Sequence, residues 1–429
     1  MKVKDKLRRW TLHPGLWSMV DQGAVSAGNF ITTILLARAL VPSEYGIYAL
    51  LYALMLFMYS LHAAAILYGL SLQGAVATDA DLRPLAGRAL MLTSWLGTFL
   101  GAAAGVVAIL FHQIWLAPWI LLAFLFWQLQ EATRRALISR LRLRDVVWGD
   151  ALSYLGQAAF IAYLFAVQRL TLTSAFFVMA ATSAAAWLLQ MSQLKLRFQH
   201  FCGAARLIPS FWGVGRWALL AKLAEAFMGQ SLLWFLALRG TVEVAAFQSL
   251  LNLARFTNPV MFAVGSVILP SVAAGRSRPT ERLHAVRRYS LLGALVLLPY
   301  LGVMLVFPTE SLRLLYGAGS AYGALGQDLR VFVLGSAFAY TAHILTMYYF
   351  GLSRGDLVLR CELIAATTAV LAGFVLVTQA GVLGAAVAYD LTFAVAVAAF
   401  AWYLRHNAPA APETAAAVRP APVEDTYGH

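Results

Sequence analysis

Lys222, Glu225 and Arg255 are ionisable residues set inside long apolar stretches of the chain. A charge at the middle of a membrane-crossing helix costs on the order of 2.5 to 3.5 kcal/mol on insertion scales, so each needs a partner or a task. On a helix Lys222 and Glu225 share a face, and Arg255 falls on a polar stripe with Gln248, Asn252 and Asn258 at intervals of three and four. Such a stripe must look at protein or at water. In one reading Lys222 and Glu225 neutralise each other and Arg255 pairs with a helix end or a carboxylate, all as packing. In the other they line a wet cavity with two cations against one carboxylate, suited to a phosphate or carboxylate that the Arg255 guanidinium grips bidentately. A second stripe, Gln22, Ser26, Asn29 and Thr33, repeats the pattern near the start of the chain. Asp21 stands beside it and either pairs with Arg8 or Arg9 or belongs to a pathway. Asp21, Glu225 and Asp390 are the carboxylates placed to carry a coupling proton or cation.

The elements that position these residues are membrane helices. Of 429 residues 61% are hydrophobic and 12% charged, where a soluble domain has roughly half and about a quarter. The expected fold is an all-α integral membrane protein of about twelve spans. Apolar stretches place helices near 16–40, 44–73, 85–111, 115–139, 147–168 and 171–193, then 210–238, 242–270, 285–308, 328–352, 358–379 and 382–406. Of the 32 Lys and Arg, 25 fall on the side of the N-terminus and 5 on the other, with Lys222 and Arg255 inside spans. Translocated loops avoid cations, so both termini are expected in the cytoplasm. The spans divide into two six-helix lobes, residues 1–200 and 207–406, followed by an Ala- and Pro-rich stretch, 407–429, expected to be a disordered cytoplasmic tail. The basic start of the chain precedes a segment too long and too polar for a signal core, and is read as leading into a retained span.

The net charge of +13 does not point to nucleic acid, because the cations sit between apolar spans. Arg134, Arg135, Arg140, Arg142 and Arg144 are expected to set topology and to meet anionic lipid headgroups. Glu362 is expected to pair locally with Arg360. Cys202 and Cys361 are far apart and imply no disulfide. No metal-ligand cluster, phosphate-cradling glycine loop or nucleophile elbow is present in the sequence, so neither a cofactor nor catalysis is expected. Asn258-Pro259 removes a backbone hydrogen bond within the eighth span and offers either a hinge or a harmless kink.

The stretch Gln22 to Leu50, QGAVSAGNFITTILLARALVPSEYGIYAL, resembles the first-helix signature of bacterial polysaccharide exporters: a Gln, an Asn-Phe, then Leu-Ala-Arg before a Pro-x-Glu-aromatic-Gly turn. These are the Wzx-type flippases of the multidrug/oligosaccharidyl-lipid/polysaccharide (MOP) superfamily. The resemblance implies two six-helix bundles around a central cavity that opens alternately to each side, lined by helices one, two, seven and eight. It further implies a multi-pass protein of the bacterial inner membrane that carries an undecaprenyl-pyrophosphate-linked oligosaccharide. The implied route serves exopolysaccharide, O-antigen or capsule synthesis, with a polymerase and glycosyltransferases as partners and a monomer sufficient for transport. A multidrug and toxin extrusion antiporter of the same fold would instead need a carboxylate-rich cavity. A membrane glycosyltransferase or polymerase would need a large catalytic loop, and none is visible.

Overall fold

The computed structural model describes residues 14–274 and 279–406; the basic residues Lys2 to Arg9 and the stretch 407–429 lie outside them. The described residues form helices and turns with no strand. The helices are α1 (Pro14–Ala39), α2 (Pro42–Val76), α3 (Asp79–Leu110), α4 (Ala117–Ser139) and α5, which runs as Leu143–Asp150 and Gly156–Ala166 through a π turn. They continue as α6 (Leu172–Leu194), α7 (Ile208–Ala237), α8 (Thr241–Arg255), α9 (Asn258–Ala274), α10 (Pro279–Val306), α11 (Pro308–Tyr316), α12 (Gly326–Gly351) and α13 (Gly355–His406).

Local chemistry sets the boundaries. Pro42 opens α2 after an extended Val41, where its missing N–H costs nothing. The Thr78 side chain accepts from the Asp81 backbone N–H at 3.2 Å to start α3, and Thr171 with Ser174 forms a reciprocal capping box at α6. Gly240, at φ 134°, makes the corner between α7 and α8.

Eight helices are long and apolar enough to cross a membrane, nine if the bent pair α8–α9 counts as one span. The polar helices α1 and α5 are not among them. The 52-residue α13 is two helices in antiparallel contact: Gly381 leaves helical geometry (φ 59°, ψ −128°), Tyr349 and Cys361 share a cluster with Phe400, and Ala365 one with Ala396. Beyond the turn Gly384 comes so near Leu376 that a side chain there would strike its carbonyl. The sequence expects a boundary at this point, between 379 and 382.

In the first half of the chain α1 packs along α5, α3 along α4, and α4 along α6; in the second, α12 lies on α13, α13 on α7, and α9 against α10 and α12. The halves meet where α2 runs antiparallel to α7 and then crosses α8. At that crossing a Cβ on Gly46 would collide with the Thr241 carbonyl, whereas one on Gly229 would meet nothing within 4 Å. Gly46→Ala is therefore expected to destabilise by about 1–3 kcal/mol, as overpacking does, while Gly229→Ala is neutral or slightly stabilising. Thermal unfolding of the two variants side by side checks this; equal melting points would refute the close crossing.

The same end of the bundle is sealed. Tyr45, Phe247, Leu312, Tyr316 and Tyr322 are buried there in one continuous core. Residues between the ninth and tenth spans, which the sequence leaves as a connecting loop, fold as α11 and close over this end. Arg38 of α1 donates from Nε and Nη2 to the carbonyls of Leu315 and Leu314 at 2.6 and 2.8 Å, satisfying orphan acceptors at the α11 C-terminus and complementing its dipole.

Candidate functional site

Beneath the seal lies a cavity of about 540 Å³ between α1 and the α8–α9 break, with Tyr52 and Leu56 of α2 at its back. From α1 it is lined by Gln22, Ser26, Asn29 and Thr33, the stripe that helical spacing selects. From the other half it receives Asn252, Arg255 and Asn258. The break explains their placement. Arg255 is the last residue of α8 and Asn258 the first of α9, and the two helices diverge by 43°. The Thr257 carbonyl accepts from the backbone amides of Val260 and Met261, both at 3.1 Å, so α9 starts afresh. Pro259 occupies an early position where no N–H is needed.

Among the described residues Arg255 forms no ion pair. Its electrostatic neighbours are the phenols of Tyr45, Tyr48, Tyr52 and Tyr389. Among the described residues no carboxylate lines the cavity. The lining combines one guanidinium, several amides and hydroxyls, and the aromatic side chains of Phe30, Tyr52, Phe256 and Phe262.

Asn252 ties the cavity to the seal. Its Nδ2 donates to the Tyr45 hydroxyl at 2.8 Å and to the Tyr316 hydroxyl at 3.4 Å. Gln248 stands one turn behind and donates to Asn252 Oδ1 at 2.8 Å, while the Tyr316 hydroxyl donates to the Ser249 carbonyl at 2.8 Å. Gln248 thus supports the lining rather than forming it.

Lys222 and Glu225 are not brought to this cavity. They pair with each other at 2.6 Å on a face of α7 where their side chains are 44% and 61% exposed. Glu362, expected beside Arg360, has Glu225 and Lys222 as its electrostatic neighbours. Asp390 of α13 lies with its buried Oδ1 against the backbone of Gly335 of α12. It too is absent from the cavity lining.

Asp21 points away from the cavity into the first half of the chain, and here the sequence reading of the arginines is corrected. Arg134 does not meet lipid headgroups: it is 9% exposed, inside a span that hydropathy already extends to residue 139. It donates from Nη2 to Asp21 at 2.7 Å and from Nε to Asp150, with Glu131 3.7 Å from Nη1. Arg135 reaches the Tyr59 hydroxyl at 3.4 Å. Around this centre Gln130 donates to Asp150 at 3.2 Å, Ser153 to Gln130 at 2.8 Å, and Thr133 to Gln190 at 2.7 Å. Three carboxylates thus face Arg134, with Arg135 nearby, and Asp21 Oδ1 and Glu131 Oε2 have no hydrogen-bond partner. Burial of so many polar groups in one lobe is tolerable because most of them satisfy one another. Sequence offers one signal for it, the polar run Gln128 to Arg135 interrupted only by Leu129 and Ala132.

No family model matches the chain, and no curated protein sequence matches it significantly. Solved structures do. An inward-facing multidrug resistance MATE family transporter of the MOP superfamily superposes with a TM-score of 0.74 at 16% identity, covering 89% of this chain and 94% of that one. The lipid II flippase MurJ in an inward closed conformation gives 0.71 at 13% identity, covering 91% and 87%. An outward-facing MATE transporter gives 0.61 at 14% identity, covering 92% and 94%. The chain therefore has the fold of the MOP-superfamily transporters.

Proposed function

We propose that this protein flips a polyprenyl-pyrophosphate-linked oligosaccharide, the repeat unit of a surface polysaccharide, across the bacterial inner membrane by alternating access. One observation carries the reading: among the described residues, the cavity presents an unpaired guanidinium with amides and hydroxyls and no carboxylate in its lining. That chemistry favours a phosphorylated, hydroxyl-rich head group over a cation. Likeness to the lipid II flippase MurJ supports transfer of a lipid-linked cargo. In this reading the two lobes, 1–200 and 207–406, rock about the α2–α7 and α2–α8 contacts, both termini are cytoplasmic and the spans number twelve. The sealed end then faces outward, so the chain stands in an inward-facing state. Arg255 holds the pyrophosphate or an acidic sugar. One of the carboxylates Asp21, Asp390 and Glu225 carries the coupling proton or cation. A monomer suffices, and a polymerase and glycosyltransferases act before and after it.

A second reading, an ion-coupled exporter of cationic drugs, draws support from the TM-score of 0.74 to a multidrug transporter. Deletion of the gene, with mass spectrometry of lipid-linked intermediates and of surface polysaccharide, decides between them. The flippase reading expects undecaprenyl-linked oligosaccharide to accumulate and the surface polymer to vanish. Unchanged lipid intermediates together with raised sensitivity to cationic drugs would overturn it in favour of the exporter.

A further inference from the structure

We infer that Tyr52, Tyr48 and Tyr45 of α2 form a stacking track for pyranose rings, leading from the cavity into the seal. This inference rests on the glycan reading above and names the residues that would recognise the sugar rather than the lipid phosphate.

The three tyrosines recur at intervals of four and three, so they stand in one row along α2. Their rings are close to parallel: Tyr45 and Tyr48 lie 6.1 Å apart at 15°, Tyr48 and Tyr52 5.9 Å apart at 7°. Trp127 of α4 extends the column, 6.5 Å from Tyr52 at 24°, and Tyr59 closes it, 5.3 Å from Trp127 at 22°. Elsewhere in the core, aromatic pairs meet edge to face, as Phe247–Phe332 at 89° and Phe57–Trp234 at 81°, or stack as single pairs, as Phe332–Tyr389 at 27° and Tyr349–Phe400 at 21°, both arrangements that ring quadrupoles favour. The column is set apart among the described residues by its length, five near-parallel rings in series that begin at the cavity wall.

Its position is directional. Tyr52 lines the cavity, and Tyr48 follows one turn nearer the seal. Tyr45, one further turn on, accepts the Asn252 hydrogen bond that closes the sealed end. Opening that end breaks this bond and adds Tyr48 and Tyr45 to the lining. The row from Tyr52 to Tyr45 spans about 10 Å at 1.5 Å per residue, comparable with a disaccharide. The buried phenols of Tyr45, Tyr59, Tyr300, Tyr316 and Tyr340 are hydrogen-bonded, whereas that of Tyr322, enclosed in the seal, has no partner among the described residues. Those of Tyr48 and Tyr52 are bonded to none of the described residues, which leaves them free to meet a ligand hydroxyl. A pyranose offers the matching groups, with C–H bonds on its faces for the aromatic rings and hydroxyls at its rim for phenols and for the amides of Asn29 and Asn252. Arg255, the electrostatic neighbour of all three tyrosines, then takes the anionic linkage at the foot of the track.

Saturation-transfer NMR on the full chain in lipid nanodiscs, free of sugar detergents, tests this with methyl β-glucopyranoside and maltose as probes and aromatic protons irradiated. Pyranose C–H signals are expected in the wild type, to persist in Tyr52→Phe, and to fall at least about fivefold in Tyr52→Leu and Tyr48→Leu. Tyr52→Met replaces the Leu variant if thermal unfolding shows that it does not fold. Equal signals in wild type and Leu variants would overturn the track. So would their absence in a wild type whose melting point inorganic pyrophosphate still raises, which would leave the phosphate reading standing. A signal from tetraphenylphosphonium in place of the sugars, lost in Tyr52→Leu, would overturn the sugar class and the flippase reading together.

Discussion

Arg255→Ala is expected to weaken binding of inorganic pyrophosphate by about 10- to 100-fold and to abolish export, while leaving the melting point unchanged or raised. The affinity loss follows from the charge-assisted hydrogen bonds a guanidinium makes to phosphate, about 1.5–3 kcal/mol for a charged partner, where about 1.4 kcal/mol is tenfold. The stability effect has the opposite sign because Arg255 has no carboxylate partner among the described residues. Its removal orphans nothing and relieves an uncompensated charge at membrane depth. A packing arginine would behave the other way, with stability falling and pyrophosphate affinity unaffected. Arg255→Lys keeps the charge but loses the planar fork, so an intermediate affinity is expected. Lys222→Ala is expected to change pyrophosphate affinity little, since Lys222 is held by Glu225 on an exposed face outside the cavity. Titration of each variant with pyrophosphate by thermal shift measures both quantities at once. An Arg255→Ala protein with wild-type pyrophosphate affinity would remove the basis of the proposed site.

That the structure separates Lys222 from Arg255 shows where sequence reasoning stops. Spans are legible because hydropathy is additive along the chain, and helix breaks because Asn258-Pro259 and Gly381 act on their own backbone. The polar stripes were legible too: Gln22, Asn29, Asn252, Arg255 and Asn258 all reach one cavity because a 3.6-residue period fixes which residues share a face. Periodicity does not say what that face looks at. The spacing of Lys222 and Glu225 satisfies the same rule, yet theirs is not a lining face of this cavity. Length alone made α11 a loop, although Pro308 at its start is a helix signal, because its role depends on contacts with Arg38 and Asn252 that come from distant spans. Tyr45, Tyr48 and Tyr52 read as ordinary apolar filling until their ring orientation, and the missing phenol partners of Tyr48 and Tyr52, are seen. Arg134 is the sharpest case. By charge counting it is one more cytoplasmic cation, whereas its partners Asp21 and Asp150 lie 113 and 16 residues away.

Arg134→Ala is expected to cost about 3–5 kcal/mol, the range for removing one partner of a buried ion pair. The loss is large because Asp21, Glu131 and Asp150 are all buried and would keep only Arg135 near them as a compensating cation. Neutralising the acids should repair it: in Arg134→Met with Asp21→Asn and Asp150→Asn, two of the three buried carboxylates are neutral and Glu131 keeps Arg135 as its neighbouring cation, so stability is expected to return most of the way to wild type. Thermal unfolding of the single and triple variants checks the pair, and a triple variant no more stable than Arg134→Ala would show that shape rather than charge holds this lobe together. The same residues separate stability from coupling. Asp21 Oδ1 accepts no hydrogen bond from the described residues, so Asp21→Asn leaves the side chain its shape and an acceptor for Arg134, and the fold is expected to survive. If Asp21 carries the coupling proton, that variant loses the dependence of transport on a pH gradient while still binding pyrophosphate through Arg255. Transport by Asp21→Asn that still follows the gradient would move the coupling site away from this network. Arg134 would then be a clamp that holds α1, with its row of Gln22, Ser26 and Asn29, against the rest of its lobe.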